Sequence, residues 1–328
     1  MHHRKPLALA AAIVAAGTLA SAAQAQDVTV MTRNLYLGAN LIPLATSPAD
    51  QFPQAATGVF AGVGATDPNG RMKLVAKEIA KSKADIVGLQ EVSLWRTGPA
   101  PASKVVYDYA TTIMKELKRL KAPYRQVAIK QGFNVGGPMG DGIDVRLTLG
   151  DAILVRKGVK VSHVRSRIFK SQFPIPTQAV GVVDPSRGYN ELDAQIGKTK
   201  LHFVNTHLEA YSTDVRLAQA KELVAGPLKS KLKTVLVGDL NSGPALPKAE
   251  DIPPYAAVAA AGFVPLRTKK LSCCFDDDLK SGKWDHNIDW IMVKPKVTLV
   301  RSWLTGTEKT ATGVHPSDHG GVVSTLRF

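Results

Sequence analysis

Six short blocks of this chain put acids, amides or imidazoles where an apolar run stops. Asn34 follows Val28–Thr32, and Glu91 ends Ile86–Gln90. His207 closes Phe203–Thr206, while Asp239 and Asn241 close Val235–Gly238. Asp289 lies inside Asn287–Ile291, and Asp318 and His319 precede the run Gly321–Leu326. Hard carboxylate and amide oxygens suit Mg²⁺, which binds through few protein ligands plus water. Histidine moves protons near neutral pH, and a partner carboxylate fixes its tautomer, a role open to Asp289 beside His319. A phosphoryl group in transit needs a cation and hydrogen-bond donors where its negative charge grows. The residue types therefore suit hydrolysis of a phosphate ester. On an extended segment Asp239 and Asn241 would face the same side, one for the metal or attacking water and one for the phosphate. Singly, each residue has a plain structural use: Asn34 in a turn, Asp239 and Asn241 in an Asx-turn before Gly243-Pro244, Asp318 as a turn cap. Their joint occurrence carries the argument.

Elements that could deliver these groups are a mixture of strands and helices. Strands are expected at Val28–Thr32, Asp85–Leu89, Gln126–Ile129, Asp151–Arg156, Val159–Val164, Thr234–Asp239, Ile288–Val293, Thr298–Trp303 and Gly321–Leu326. Glu191–Ile196 and Lys200–Thr206 read as a hairpin through Gly197-Lys198-Thr199. Helical spacing marks Arg71–Lys81, Val105–Leu120 and Asp214–Leu223. Ala45–Asn69, Gly98–Ser103, Gln131–Gly142 and Ser242–Pro254 read as looser, the third as a glycine-rich flexible loop. The fold class is mixed α/β, and one domain over residues 26–328 is the simplest organisation.

Several chemistries lack their motif. Gly197-Lys198-Thr199 would need glycine where Leu192 stands to end a P-loop. There is no G-x-S-x-G elbow and no H-E-x-x-H zinc motif. Gly62-Val63-Gly64 meets Asp67 where a dinucleotide fingerprint needs glycine.

The balance of 45% hydrophobic and 21% charged residues excludes a disordered or fibrous chain. Cysteines number two, adjacent at Cys273 and Cys274, which excludes a disulfide framework and leaves open two thiols, a strained vicinal bridge or an intermolecular link. Residues 1–25 read as a Sec-type signal peptide: a basic start, the apolar run Pro6–Ala20 and Ala23-Gln24-Ala25 as the cleavage pattern. The expected location is secreted or periplasmic, with no stable membrane span after cleavage. The net charge is +15; removing Arg4 and Lys5 with the signal leaves +13, which suits an anionic partner.

Together Thr32-Arg33-Asn34-Leu35, Leu89-Gln90-Glu91-Val92, Asn205-Thr206-His207-Leu208, Gly238-Asp239-Leu240-Asn241-Ser242, Ile288-Asp289-Trp290-Ile291 and Ser317-Asp318-His319 resemble, in order, the signature blocks of the endonuclease/exonuclease/phosphatase superfamily. The resemblance implies a four-layer α/β sandwich, two mixed sheets packed face to face with helices outside. It implies Glu91 as principal metal ligand, helped by Asn34 and Asp318. It implies Asp239 as the group that orients or deprotonates water, or binds a second metal, and Asn241 and His207 as holders of the scissile phosphate. His319, paired with Asp289, would be general base or phosphate ligand. Mg²⁺ or Mn²⁺ is the expected cofactor, with Ca²⁺ a third candidate. Asp144, Arg146 and Arg187 are candidates for a further substrate-binding acid or arginine.

For the substrate, the basic excess and export lean slightly towards a scavenging nuclease, since Lys and Arg contacts to phosphate need no sequence code. The alternative is a phosphodiesterase of sphingomyelinase or phospholipase C type, cutting at a phospholipid headgroup. That activity would want an exposed apolar element, for which Trp95, Trp284 and Trp303 are candidates. A non-catalytic polyanion-binding protein is the reading from another class. No protein partner is implied. The acidic triplet Asp276–Asp278 could hold a structural Ca²⁺ or simply face solvent.

Overall fold

Apolar side chains alternate between two cores along the central strands. In β1 (Asp27–Asn34), Val28 and Val30 enter one core and Met31 the other. The molecule is a computed structural model describing residue 1 and residues 25–328; the expected signal segment therefore lies almost wholly outside the described residues. After β1 come α1 (Ile42–Thr46), α2 (Phe52–Ala65), α3 (Pro68–Ser82), β2 (Ile86–Gly98), β3 (Lys104–Asp108), α4 (Tyr109–Arg119), β4 (Tyr124–Pro138), β5 (Asp144–Arg156) and β6 (Lys160–Ile168). Then follow β7 (Ile175–Thr177), β8 (Gly181–Val183), β9 (Gly188–Ile196), β10 (Thr199–His207), α5 (Thr213–Ala225), β11 (Lys233–Asp239), α6 (Pro253–Ala260) and β12 (Val264–Pro265). The chain ends with β13 (Cys273–Phe275), β14 (Gly282–His286), β15 (Asp289–Lys294), β16 (Thr298–Thr305) and β17 (Gly321–Arg327).

These strands form two large mixed sheets. One runs β16-β17-β1-β2-β5-β4 with β3 added beside β2; the other runs β12-β15-β11-β10-β9-β6. Between them lies a core built from Val28, Val30, Ile86 and Ile153 on one side and Phe203, Val235, Val237 and Ile291 on the other. The outer face of the first sheet, with Met31, Val87 and Leu89, packs on Met72, Val75 and Ile79 of α3 and Ile113 and Leu117 of α4. The outer face of the second, with Val204, Leu236 and Met292, packs on Ala220 and Leu223 of α5 and Val258 of α6. Helices, sheet, sheet and helices make the expected four-layer sandwich.

Three sequence expectations need correction. Gln131–Gly142 is no flexible loop: β4 runs to Pro138 and pairs with β5 along its length, Gly136 opposite Arg146 and Gly137 opposite Val145. Gly137 is there for space, because a Cβ would stand 2.6 Å from Phe52 Cε1. Ala45–Asn69 holds the whole of a helix, α2, whose buried side is Phe52, Ala56 and Val63. Its glycines lower its intrinsic propensity, and packing overrides that. Val105–Asp108 belongs to β3, so α4 begins only at Tyr109, where the Asp108 carboxylate caps it by accepting from the Thr111 N–H.

Candidate active site

Parallel strand pairs point their ends the same way, and here two such pairs end on one rim. β1 and β2 run parallel with Asn34 beside Gln90; β10 and β11 run parallel with His207 beside Asp239. Asp289 opens antiparallel β15 directly across from Asp239. The turn before β17 supplies Asp318 and His319 beside them.

Glu91 sits in a β-bulge, where the register of β2 against β5 slips between Leu89 and Val92. Such a bulge re-aims a side chain. Its φ is +56°, and Tyr36 (+55°) and Asn241 (+46°) share that left-handed region. Non-glycine residues held there cost on the order of 1–3 kcal/mol each and cluster at functional sites. The Glu91 carboxylate accepts from the Leu37 N–H at 2.7 Å and from Asn34 Nδ2 at 3.1 Å. Asn34 Nδ2 also donates to Asp239 Oδ2 at 3.0 Å, and its Oδ1 accepts from the Tyr36 N–H at 2.9 Å. One amide thus ties together the acids of both sheets.

Burial raises the Asp239 carboxyl to about 6; the Asp289 charge adds to this, and His319 opposes it. Burial likewise raises Asp318 to about 6, with the Glu91 charge adding. Several acids thus crowd one rim at a desolvation cost that a divalent cation would relieve. The oxygen-rich donor set, with Glu91 and Asp318 facing one opening and Asp239 tied to Glu91 through the Asn34 amide, fits such an ion. Asp239, Asp289 and His319 also bring ligand atoms within 4.8 Å of one another.

The imidazoles on either side of Asp239 are held in different states. His207 Nδ1 accepts from Arg187 Nη1 at 2.8 Å, so its proton sits on Nε2, 3.5 Å from Asp239 Oδ2. Burial and then the Arg187 charge hold His207 well below its ordinary range. His319 Nδ1 donates to the Asp289 carboxylate at 3.0 Å, and its Nε2 lies 3.7 Å from Asp239 Oδ2. Burial opposes its charge, but Asp289 and Asp318 outweigh burial and raise it well above its ordinary range. Ser272 Oγ, at 2.9 Å, donates to Asp289 Oδ2. Behind the turn, buried Arg33 donates to the His319 carbonyl and pairs with Glu78 at 3.1 Å.

Asn34, Glu91, His207, Asp239, Asp289, Asp318 and His319 are therefore brought together. Asn241 is adjacent but not extended: β11 stops at Asp239, and the Asn241 N–H donates to Asp239 Oδ1 at 2.9 Å in an Asx arrangement. Its amide donates to the Leu208 carbonyl at 3.0 Å, so the same-side expectation for the two side chains fails. Arg187 joins the site through His207. Asp144 and Arg146 do not. Asp144 pairs with Gly98 and Pro138 at the far end of β5, roughly 20 Å along the strand from Asp151. Arg146 donates to Pro101 and Asn134. The sequence reading missed Asp151 and Lys130, a buried pair 3.4 Å apart whose acid feels both Glu91 and Arg187. An acid opening the apolar run Ala152–Val155 was the available signal.

From this rim a cavity of about 610 Å³ extends under β7 and β8. Glu91, Asp318 and Arg187 line its polar end; Leu41, Phe52, Trp95, Phe133, Leu147 and Phe173 are among its apolar walls. A second cavity, about 770 Å³, lies against α4 and contains none of the rim residues. The three tryptophans are packed, not offered to lipid: Trp95 is buried and donates to Leu37, Trp284 donates to the Asp318 carbonyl, and half-buried Trp303 stacks on Arg301. Among the acids of the triplet, Asp276 and Asp278 accept from Ser281 and Asp277 accepts from Tyr36.

The sequence model of the endonuclease/exonuclease/phosphatase family matches residues 58–319. This chain belongs to that family. It is accordingly a metal-dependent hydrolase of phosphoric esters. Among solved structures, a family protein from Leptotrichia buccalis C-1013-b is similar at 13% identity, with 92% of this chain and 100% of that chain covered and a TM-score of 0.58. D. rerio TDP2 complexed with a single-strand DNA product is similar at 19% identity, coverages of 92% and 98%, and a TM-score of 0.55. An endonuclease/exonuclease/phosphatase from Beutenbergia cavernae DSM 12333 is similar at 19% identity, coverages of 92% and 72%, and a TM-score of 0.57. No curated protein matches the chain.

Proposed function

We propose that the protein is an exported, Mg²⁺-dependent phosphodiesterase acting on nucleic acid. The observation that carries the reading is the rim itself: the Glu91 and Asp318 carboxylates face one opening, the Asn34 amide ties Glu91 to buried Asp239, and His207 and His319 flank Asp239 on either side. Glu91 and Asp318, with Asn34 beside them, would hold the cation, which supplies charge neutralisation at the phosphoryl oxygens. Asp239 Oδ2, oriented by the Asn34 amide, takes the proton of the attacking water. His319 donates from Nε2 to a phosphoryl oxygen, and Asp289 keeps it charged and oriented. His207 donates from Nε2 because Arg187 occupies its Nδ1. Support for nucleic acid comes from the basic excess and from the DNA product held by the similar TDP2 structure. Support for export comes from the composition of residues 1–25. Among the described residues no helix is long and apolar enough to cross a membrane.

A second reading, a phosphodiester carrying an apolar group as in a phospholipid, is favoured by the apolar walls of the 610 Å³ cavity. The deciding experiment compares degradation of single-stranded DNA with release of phosphocholine from sphingomyelin vesicles, both with MgCl₂ and with EDTA. DNA degradation abolished by EDTA is the expected result. Phosphocholine release without DNA degradation selects the second reading. Intact-mass analysis of exported protein should find Gln26 as its first residue, and retention of Met1 removes the export signal.

A further inference from the structure

The proposed reaction makes no use of the cysteine pair. Cys273 and Cys274 are disulfide-bonded in β13, with Cys273 buried and Cys274 half-buried. Their sulfurs lie 3.7 and 3.8 Å from His319 Nε2, the atom that would face the phosphate. β13 is stitched to the His319 turn, because the Phe275 N–H donates to the Asp318 carbonyl at 2.9 Å and the Gly320 N–H to the Ser272 carbonyl at 2.7 Å. Across the hairpin Cys273 pairs with His286, and the ligand atoms of Cys273, Cys274 and His286 all fall within 4.8 Å of one another. Cys274, Asp318 and His319 form a second set that meets the same limit.

We propose that reduction of this pair creates a site for a thiophilic divalent cation such as Zn²⁺ or Cd²⁺, held by Cys273, Cys274 and an imidazole, and that filling it removes His319 from catalysis. With zinc–sulfur bonds of ~2.3 Å and zinc–nitrogen bonds of ~2.0–2.1 Å, the sulfur–nitrogen edge of a tetrahedral site is about 3.6 Å. In the disulfide the sulfurs lie 3.7 and 3.8 Å from His319 Nε2, so the imidazole is already within reach, and breaking the bond lets the two sulfurs part to the roughly 3.8 Å edge that zinc–sulfur bonds of ~2.3 Å require. As a disulfide, the pair has no thiolate to offer. Reduction by a dithiol breaks the sulfur–sulfur bond and delivers two electrons and two protons, and the reductant leaves as its own disulfide. The cation then displaces both thiol protons. Mg²⁺ prefers oxygen and remains with the carboxylates, so the two sites differ in the class of ion they take.

The test uses Cd²⁺ alone, whose thiolate complexes absorb in the ultraviolet. Protein reduced with a dithiol and freed of reductant should take up one equivalent of Cd²⁺ with that absorbance, while the oxidised protein and Cys274→Ser should not. Loss of Cd²⁺ uptake in His319→Ala supports the action on His319, whereas loss in His286→Ala with uptake kept in His319→Ala overturns it. The activity arm rests on the phosphodiesterase reading: with Mg²⁺ in excess, Cd²⁺ should lower turnover of bis-p-nitrophenyl phosphate at least tenfold in the reduced enzyme only. The absorbance arm does not need that activity, so failure of one arm is distinguishable from failure of the other. Absence of the thiolate band in reduced, folded protein overturns the site; a full band with undiminished turnover overturns its action on His319.

Discussion

Replacing Asp289 by Asn tests the proton machinery most directly. Asp289 is fully buried, and its carboxylate holds His319 Nδ1 at 3.0 Å and accepts from Ser272 Oγ at 2.9 Å. Asparagine keeps the volume and one acceptor but removes the charge. A unit charge pair about 4 Å apart at an effective dielectric of ~20 is worth about 4 kcal/mol, all of it favouring the protonated imidazole. The His319 pKa should then fall, leaving no Nε2 proton certain to face the phosphate at alkaline pH. The expected loss in kcat is about 10³-fold, within the ~10²–10⁴ range for positioned proton transfer. Hydrolysis of bis-p-nitrophenyl phosphate across pH 5–9 in saturating Mg²⁺ measures it. Part of the loss should be recovered at low pH, where the imidazole regains its proton. Turnover within fivefold of the parent enzyme at every pH, with circular dichroism unchanged, would refute the electrostatic argument.

Other consequences concern stability. In EDTA, Asp239 and Asp318 titrate at about 6 when folded and near 3.8 when unfolded, so the native state binds more protons between those values. Stability from these groups therefore falls as pH rises from about 4 to about 6, and Asp239→Asn should flatten that part of a Tm-against-pH curve; an unchanged slope contradicts it. Excess Mg²⁺ should raise Tm at pH 8, by about 2.7 kcal/mol of stability at 100 times its Kd, and a calorimetric scan showing no shift counts against cation binding at the rim. His202 lies 2.7 Å from Asp193 and 3.3 Å from Glu191, and these acids outweigh burial to raise its pKa. Its stabilisation is full below about 6.5 and fades as pH rises through the raised value, so His202→Gln should lower Tm by more at pH 5.5 than at pH 9. Gly88→Ala would place a Cβ 2.5 Å from Val237 Cγ2 between the sheets; urea unfolding should show a loss of about 1–3 kcal/mol, and an unchanged midpoint would mean the sheets can part.

The layers were legible because the central strands bury both faces. A run such as Val235–Val237 then has no polar residue until the sheet ends, and the first one, Asp239, marks the rim. The same contrast exposed Asn34, Glu91, His207 and the Asp318-His319 turn. What stayed hidden depends on tertiary packing. Gly137 of β4 looks like part of a loop until Phe52 of α2 is seen to require its missing side chain. Asp151 and Lys130 satisfy each other across β4 and β5, a pairing with no local spacing to announce it. Arg187 could be named only as a candidate, because its role follows from the fold that brings it to His207.

That contact decides the electrostatics of the rim. Asp239 Oδ2 stands between two imidazoles, 3.5 Å from His207 and 3.7 Å from His319. Without further partners the two would compete for similar states, and charging both would be opposed by their mutual repulsion. Arg187 removes the competition by donating to His207 Nδ1, and Asp289 removes it from the other side by accepting from His319 Nδ1. In the proposed reaction each ring keeps an Nε2 proton for the phosphate side, with His207 pushed towards its neutral form and His319 towards its charged form. Environments that push titratable neighbours apart in this way separate a proton donor from a simple hydrogen-bond donor. On this basis the proposed reaction gives the proton of water to Asp239 and not to His319. In the proposed reaction, proton inventory and substrate positioning are therefore set by Asp289 at the start of β15 and by Arg187 in the segment between β8 and β9.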